Sequence, residues 1–279
     1  MPVILSCTDG SLYAPSIYQH TAWAANRLAS GVEVLHVIDH HREYSSTCDI
    51  SGAIGFDATA ELTEELVKLE EAQGRVALLK GKAILQDARE QLAAAGVTEV
   101  TTTQRHGTLI STLEELEPHA ELVVVGKRGE HAGAVQGPLG GHLEDLVRIS
   151  VRPVLVAALA FKPIERFLVA FDNSPSARKA VEQASDSALL RGLECHVVMV
   201  GRADAAHETA LNEARDRFKQ AGFEVTAKLL PGRPATVIAE EVKATGIDLL
   251  VMGAYGHSHI REFIVGSTTT NMVRNCAVP

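Results

Sequence analysis

Apolar residues fall along this chain in short continuous runs, separated by longer stretches in which they recur every three or four positions. Such runs predict strands buried on both faces, and the stretches between them predict amphipathic helices. The first run is Val3-Ile4-Leu5-Ser6-Cys7, and Thr8-Asp9-Gly10-Ser11 follows it. A helix is predicted from about Pro15 to Ala29, with Ile17, Thr21, Ala24 and Leu28 on one face, and then a strand over Val32–Ile38. The same programme restarts at Phe167-Leu168-Val169-Ala170-Phe171, followed by Asp172-Asn173-Ser174. Pro175 suits a first helical turn, and Ser174 or Asn173 suits its cap. That helix is predicted to run towards Leu190, with a strand over Cys195–Val200 after it.

The two passes also end alike. Residues 119–126 read HAELVVVG and residues 246–253 read GIDLLVMG. Gly126 and Gly253 are 127 residues apart, as are Gly129 and Gly256. A near-constant offset over several landmarks indicates an internal duplication. The opening aspartates, Asp9 and Asp172, are 163 apart, so the first copy holds about 36 extra residues. The excess is assigned to about residues 40–82, which include a charged, helix-prone stretch from Glu61 to Glu71. Strands alternating with helices predict an α/β fold with right-handed crossovers. Two domains are expected, residues 1–160 and 161–279, with the boundary near Leu159–Pro163. After Pro153 the first copy continues into an apolar strand, Val154 to Ala158, whereas the sequence stops at the matching Pro279. The last strand of the second domain is therefore expected to be missing.

Composition narrows the class. Hydrophobic residues make up 46% and aromatics 4%, so the core must rest on aliphatic side chains. A net charge of -9 argues against a nucleic-acid or anionic-membrane surface, while leaving room for a local basic pocket. Cys7, Cys48, Cys195 and Cys276 form no C-x-x-C pair, which fits a reducing cytoplasm, and Cys7 and Cys195 read as inert core residues. The N-terminus lacks the features of a signal peptide, and no apolar run is long enough to span a bilayer.

The candidate chemistry lies near the C-terminus. Gly253 and Gly256 follow the apolar run Leu249-Leu250-Val251-Met252, and nine residues later come Gly266, Ser267 and Thr268. Glycines after a strand, then hydroxyls opening a helix, let backbone N–H groups approach a phosphate at the positive end of a helix. A plain turn with helix capping uses the same residues. Asp172 at a strand end could accept from a nucleotide's amino or ribose hydroxyl group, or cap the next helix. Arg233, Arg261 and His257 are candidate phosphate contacts, with solvated surface positions as the alternative. No metal-ligand cluster is legible beyond His257 and His259.

The first copy carries degenerate equivalents. Asp9, Val37, Gly126 and Gly129 are kept, but the next glycine, Gly140, falls ten residues after Gly129. Gly141 and His142 replace the two hydroxyl residues, which favours a degenerate copy that binds no ligand, with the charge of Lys127 and Arg128 holding a different anion as the alternative. His36 reads as a half-buried strand residue, and Glu70-Glu71, Glu114-Glu115 and Glu240-Glu241 read as solvated helix faces. No nucleophile–base motif is present, so no catalytic residue is assigned.

These residues resemble the universal stress protein family in its tandem form. The family motif G-x-x-G-x9-G-[ST] stands intact as Gly253, Gly256, Gly266 and Ser267. Asp9 and Asp172 match the family's strand-ending aspartate, and Leu35-His36-Val37 matches its L-H-V strand. The resemblance implies two Rossmann-like domains of the adenine nucleotide alpha-hydrolase type, each a five-stranded parallel sheet in the order 3-2-1-4-5. It implies ATP, AMP or ADP as ligand, with magnesium or manganese on the phosphates. Asp172 would meet the adenine or ribose, Met252 and Gly253 would line the nucleotide, and Gly256, Gly266, Ser267 and Thr268 would hold its phosphates. It also implies a regulatory stress-response protein, at most a weak ATPase, with its two domains paired as an intramolecular pseudo-dimer and a homodimer beyond that. The alternative is a non-nucleotide small-molecule, lipid-binding or scaffold module using the degenerate copy, which a cavity under residues 40–82 would favour.

Overall fold

The computed structural model describes residues 2–39, 56–127, 143–253 and 267–279. Two parallel sheets account for the strands. The first unit runs β1 (Val3–Cys7), α1 (Ala14–Leu28), β2 (Gly31–Ile38), α2 (Phe56–Ala94), β3 (Val100–His106), α3 (Leu109–Leu116), β4 (Ala120–Gly126), α4 (Leu143–Ile149) and β5 (Val154–Ala157). The second runs β6 (Arg166–Phe171), α5 (Pro175–Asp186), β7 (Glu194–Val200), α6 (Ala205–Gln220), β8 (Val225–Leu230), α7 (Pro234–Ala244), β9 (Leu249–Met252) and α8 (Ser267–Asn275). Strand orders are β3-β2-β1-β4-β5 and β8-β7-β6-β9. The expected α/β fold and strand order are both present, the second sheet having four strands.

The duplication is visible in backbone detail. Asp9 and Asp172 each accept a hydrogen bond from the N–H two residues on, Ser11 and Ser174, both at 3.0 Å. The residue between them is left-handed in each copy, Gly10 at φ 73° and Asn173 at φ 61°. Both residue types tolerate that conformation, glycine for want of a Cβ and asparagine through its short polar side chain. Beyond the crossover, Pro153 O accepts from Val123 N at 3.0 Å, and Pro279 O accepts from Leu250 N at 2.9 Å.

Alternation along the strands sends one set of side chains to each sheet face. In the first unit Val32 and Val34 pack under α1 and α2, while Leu5, Leu35 and Val123 pack under α3 and α4. In the second, Phe167, Phe218 and Phe223 form an edge-to-face trio with centroids 5.5–5.9 Å apart. One buried cluster runs from Ile4 and Val34 through Leu155, Ala157 and Ile164 to Phe167 and Val197, so the two units share a core. Arg27 of α1 reinforces the junction by donating to the carbonyls of Leu189, at 2.6 Å, and Arg191.

Three expectations change. The helix predicted to reach Leu190 ends at Asp186, where Arg217 of α6 grips the Asp186 carboxylate at 2.8 and 2.9 Å. The helical stretch expected over Glu61–Glu71 is part of a 39-residue helix, α2, against 16 residues in its counterpart α6. Glu241 is not a solvated helix residue. Its side chain is 12% exposed and pairs with Lys228 at 2.5 Å.

Candidate functional site

In each sheet the crossovers run in opposite directions from the strand pair β1/β4 or β6/β9, which makes that pair the switch point of a doubly wound sheet. Asp172 and Gly253 end the two strands at the second switch point, and Asp9 and Gly126 end those at the first. The sequence places its candidates at both mouths, and the structure puts Asp9, Gly126, Asp172 and Gly253 there.

Gly253 is fixed by packing. A Cβ on it would lie 2.6 Å from the Ser176 carbonyl carbon and 2.7 Å from both Ala177 N and Ser176 O. The end of β9 thus runs directly against the first turn of α5. That turn is held by Ser174, whose Oγ accepts from Ala177 N at 3.2 Å, and by Pro175 in the first turn. Bare backbone therefore meets the N-terminal turn of a helix, which favours negative charge. Met252 is half-buried against the cluster of Leu168, Val198 and Ile238. The second helix at this mouth, α8, starts at Ser267, so the motif's hydroxyl residues occupy its first turn. Gly256, His257, Arg261 and Gly266 lie outside the described residues.

Asp172 is exposed, and Oδ1 shapes the turn by accepting from Ser174 N. The helix cap weighed for it is made by Ser174 instead, Asp172 shaping only the turn before it, and Oδ2 makes no hydrogen bond among the described residues. Arg233 occupies the N-cap position of α7, in the loop after β8, with no side-chain cap bond, and is exposed. Three strand spacings separate β8 from β9, about 14 Å, so Arg233 lies on the side of Asp172 away from Gly253.

The first mouth is built differently. Val37 is half-buried in the cluster of Leu5 and Leu35. His36, more buried than a half-buried strand residue, donates from Nδ1 to Thr8 O at 2.9 Å and so ties β2 to the turn after β1. A Cβ on Gly10 would lie 2.7 Å from Ile84 of α2, and one on Gly81 would lie 2.5 Å from Gln104 and 2.8 Å from His36. The underside of α2 is thus packed onto β2, β3 and the Asp9 turn. Lys127, weighed as an anion contact, is buried and donates to the carbonyl of Cys276 at the C-terminal end of α8, with Val278 O at 3.4 Å. Its charge faces the negative end of a helix instead of an open cleft. α4 begins at Leu143, without a hydroxyl residue in its first turn. Arg128, Gly129 and Gly140 lie outside the described residues.

Sequence reasoning missed the contacts that tie α8 to the first unit. Val273 packs into the cluster of Leu5 and Leu113, and Arg274 pairs with Glu144 at 2.7 Å. Only the alternation of apolar positions along α8 could have hinted at a helix shared by two cores. The thiols are inert as expected, since burial, aided by Glu117 and Glu33, pushes Cys7 up to about 12, and burial also raises Cys195. Among the described residues no group of three or more metal-ligating side chains occurs, and no helix is long and apolar enough to cross a membrane.

Two doubly wound parallel sheets in one chain, each with an aspartate and a glycine flanking its switch point, define a tandem Rossmann-like protein. The chain belongs to the universal stress protein family, whose pattern matches residues 1–158 and again residues 163–279. Universal stress protein Slr1230 of Synechocystis is 35% identical over 282 residues, covering 100% of this chain and 98% of its own. A universal stress protein from Archaeoglobus fulgidus shares the fold, with a TM-score of 0.75, 19% identity and coverage of 99% and 96% of the two chains. A shorter family protein from Arabidopsis thaliana, solved with AMP bound, covers 42% of this chain and 88% of its own, with 20% identity and a TM-score of 0.34.

Proposed function

We propose that this tandem universal stress protein binds ATP, or its di- or monophosphate, in the second unit, and that the nucleotide regulates a stress response. The observation that carries this reading is the close approach of Gly253 to Ser176 and Ala177. It leaves bare backbone against the N-terminal turn of α5 at the switch point, and α8 is the next helix along the chain. The phosphates would rest on Gly256, Gly266, Ser267 and Thr268, with His257 and Arg261 as further contacts. Asp172 Oδ2, and Arg233 farther along the edge, would face the adenosine side. A divalent cation would ride on the phosphates.

The first unit takes no equivalent ligand in this reading. Lys127 donates to the end of α8, and α2 is packed on the sheet at Gly81, beside His36 and Gln104. One nucleotide per chain is therefore expected. Its effect would run through a conformation that it binds better than the alternative, because a ligand shifts only equilibria between states of different affinity.

Titration calorimetry with ATP on the wild type, Gly266→Val and Ser267→Ala tests the site. Gly266→Val should lose at least about tenfold in affinity through steric exclusion, and Ser267→Ala about fivefold through one lost hydrogen bond. Wild-type affinity in both variants would refute the placement.

A further inference from the structure

Two residues other than glycine are left-handed among the described residues, Ala29 at φ 52° and Asn173 at φ 61°. Ala29 closes α1, a usual place for that conformation. Asn173 closes no helix. It stands between Asp172, just after β6, and Ser174, which caps α5. A left-handed residue with a side chain is disfavoured, although asparagine tolerates it better than most, and it persists where neighbours hold it.

Arg178 is the neighbour that holds it. Its Nε–H is shared by both oxygens of Asn173, Oδ1 at 2.9 Å and the main-chain O at 3.2 Å. Arg178 is the fourth residue of α5, is exposed, and makes no ion pair among the described residues. A cation there faces the positive end of the helix, so the macrodipole does not account for it. The first copy needs no such clamp. Gly10 takes the same conformation at φ 73° without a Cβ to strain, and five residues on stands Pro15, which has no side-chain donor.

What the clamp fixes lies beside the proposed nucleotide. The left-handed Asn173 turns Ser174 N back onto Asp172 Oδ1, at 3.0 Å, which leaves Oδ2 unbonded among the described residues. The same turn sets Ser174 Oγ on Ala177 N, at 3.2 Å, and so places the first turn of α5 against Gly253. An extended Asn173 would swing Ser174 N away from Asp172 and release both.

We propose that Arg178 is a positioning residue of the second mouth: by clamping Asn173 it fixes the Asp172 carboxylate and the entry of α5 in the form that binds. This rests on the reading that the second unit holds an adenine nucleotide. Arg178 works through Asn173 and touches no ligand. Apparent affinity falls with the fraction of protein in the competent form, so loss of the clamp registers as weaker binding. A direct phosphate contact by the same guanidinium is the rival role. Asn173→Gly separates the two, because glycine holds the turn unaided.

Titration calorimetry with ATP on the wild type, Arg178→Ala, Asn173→Gly and the double variant tests this. Arg178→Ala should bind about fivefold more weakly, the worth of one hydrogen bond. Asn173→Gly should stay within about twofold of the wild type. Adding Arg178→Ala to it should change nothing further. Equal losses from Arg178→Ala in both backgrounds, or none in either, would overturn the proposal. Amide exchange at Ser174, followed by NMR without nucleotide and corrected for intrinsic rates, reads the turn itself. It should quicken at least about threefold in Arg178→Ala and slow again in the double variant, and unchanged exchange would overturn the clamp. A wild type with this exchange pattern that binds no ATP would overturn the nucleotide reading and uphold the clamp.

Discussion

Gly253→Ala is the sharpest perturbation of the second switch point. Gly253 is not among the left-handed glycines, so alanine meets no backbone strain there. The obstacle is contact alone, with the new methyl 2.6–2.7 Å from three backbone atoms of Ser176 and Ala177. Ordinary contact needs a separation of about 3.4 Å or more, so one side must retreat by roughly 0.8 Å. Neither side gives easily. The end of β9 is registered on β6 as far as Met252 opposite Ala170, and α5 is held by the Ser174 cap and by buried Ala177 and Val181. Such overpacking costs about 1–3 kcal/mol, offset by about 0.4–1 kcal/mol from a stiffer unfolded chain. A net loss of about 1–2 kcal/mol should lower Tm by about 2–8 °C. ATP affinity should fall by about tenfold, because the retreat pulls the α5 terminus away from the phosphate position. Gly192→Ala is the control: Gly192 is left-handed at φ 80°, with nothing within 4 Å of its Cβ position. It should cost stability through strain and leave nucleotide binding unchanged. Thermal melts and calorimetry on both variants check this. A Gly253→Ala protein with wild-type Tm and wild-type affinity would refute the packing argument.

Two further perturbations test the junction between the units. Lys127→Met should destabilise the protein by about 2 kcal/mol and lower Tm by about 4–8 °C, since it leaves the Cys276 carbonyl at the end of α8 without its cation. Hydrogen exchange should then quicken in α8 before it does in β6 or β7. His20 is fully buried, donates from Nδ1 to Ser16 O at 2.7 Å and sits edge-on to Phe161 of the linker at 5.0 Å, and burial lowers its pKa. As pH falls below the ordinary value of 6.5 the unfolded chain takes a proton that the folded chain refuses, so stability declines with acidity there. In urea melts between pH 7 and 5, His20→Asn should flatten that decline, and an unchanged slope would refute the assignment.

Much of this architecture is legible in the residues because local and global requirements agree. Short apolar runs bounded by turn residues, such as Val3–Cys7, mark strands buried on both faces, and the Asp9 and Asp172 turns repeat down to the sign of φ at the next residue. The motif was legible for the same reason, since a strand-ending glycine with a spaced Gly-Ser is a local pattern, and of it Gly253 follows β9 and Ser267 opens α8. What the sequence hid was decided by neighbours distant along the chain. Gly74 and Gly81 are locally poor helix formers, yet α2 runs through both, and at Gly81 the missing Cβ lets the helix settle on His36 and Gln104. Lys127 reads as an anion ligand in a phosphate-loop position until α8, 149 residues later, arrives to take its charge.

The fate of Lys127 links the two units in a way that neither motif alone could show. The helix whose first turn carries Ser267 and Thr268 ends against Lys127, with Val273 in the first unit's core and Met272 and Cys276 in the second's. α8 therefore spans from the proposed phosphate position to the junction. A phosphate at its positive end and an ammonium at its negative end both favour the same ordered helix. A helix gripped at its C-terminus by one unit is free to present its N-terminus to a ligand in the other. By linkage, a nucleotide that bound only the ordered α8 would gain affinity from whatever Lys127 contributes to that order, and the reverse would hold equally.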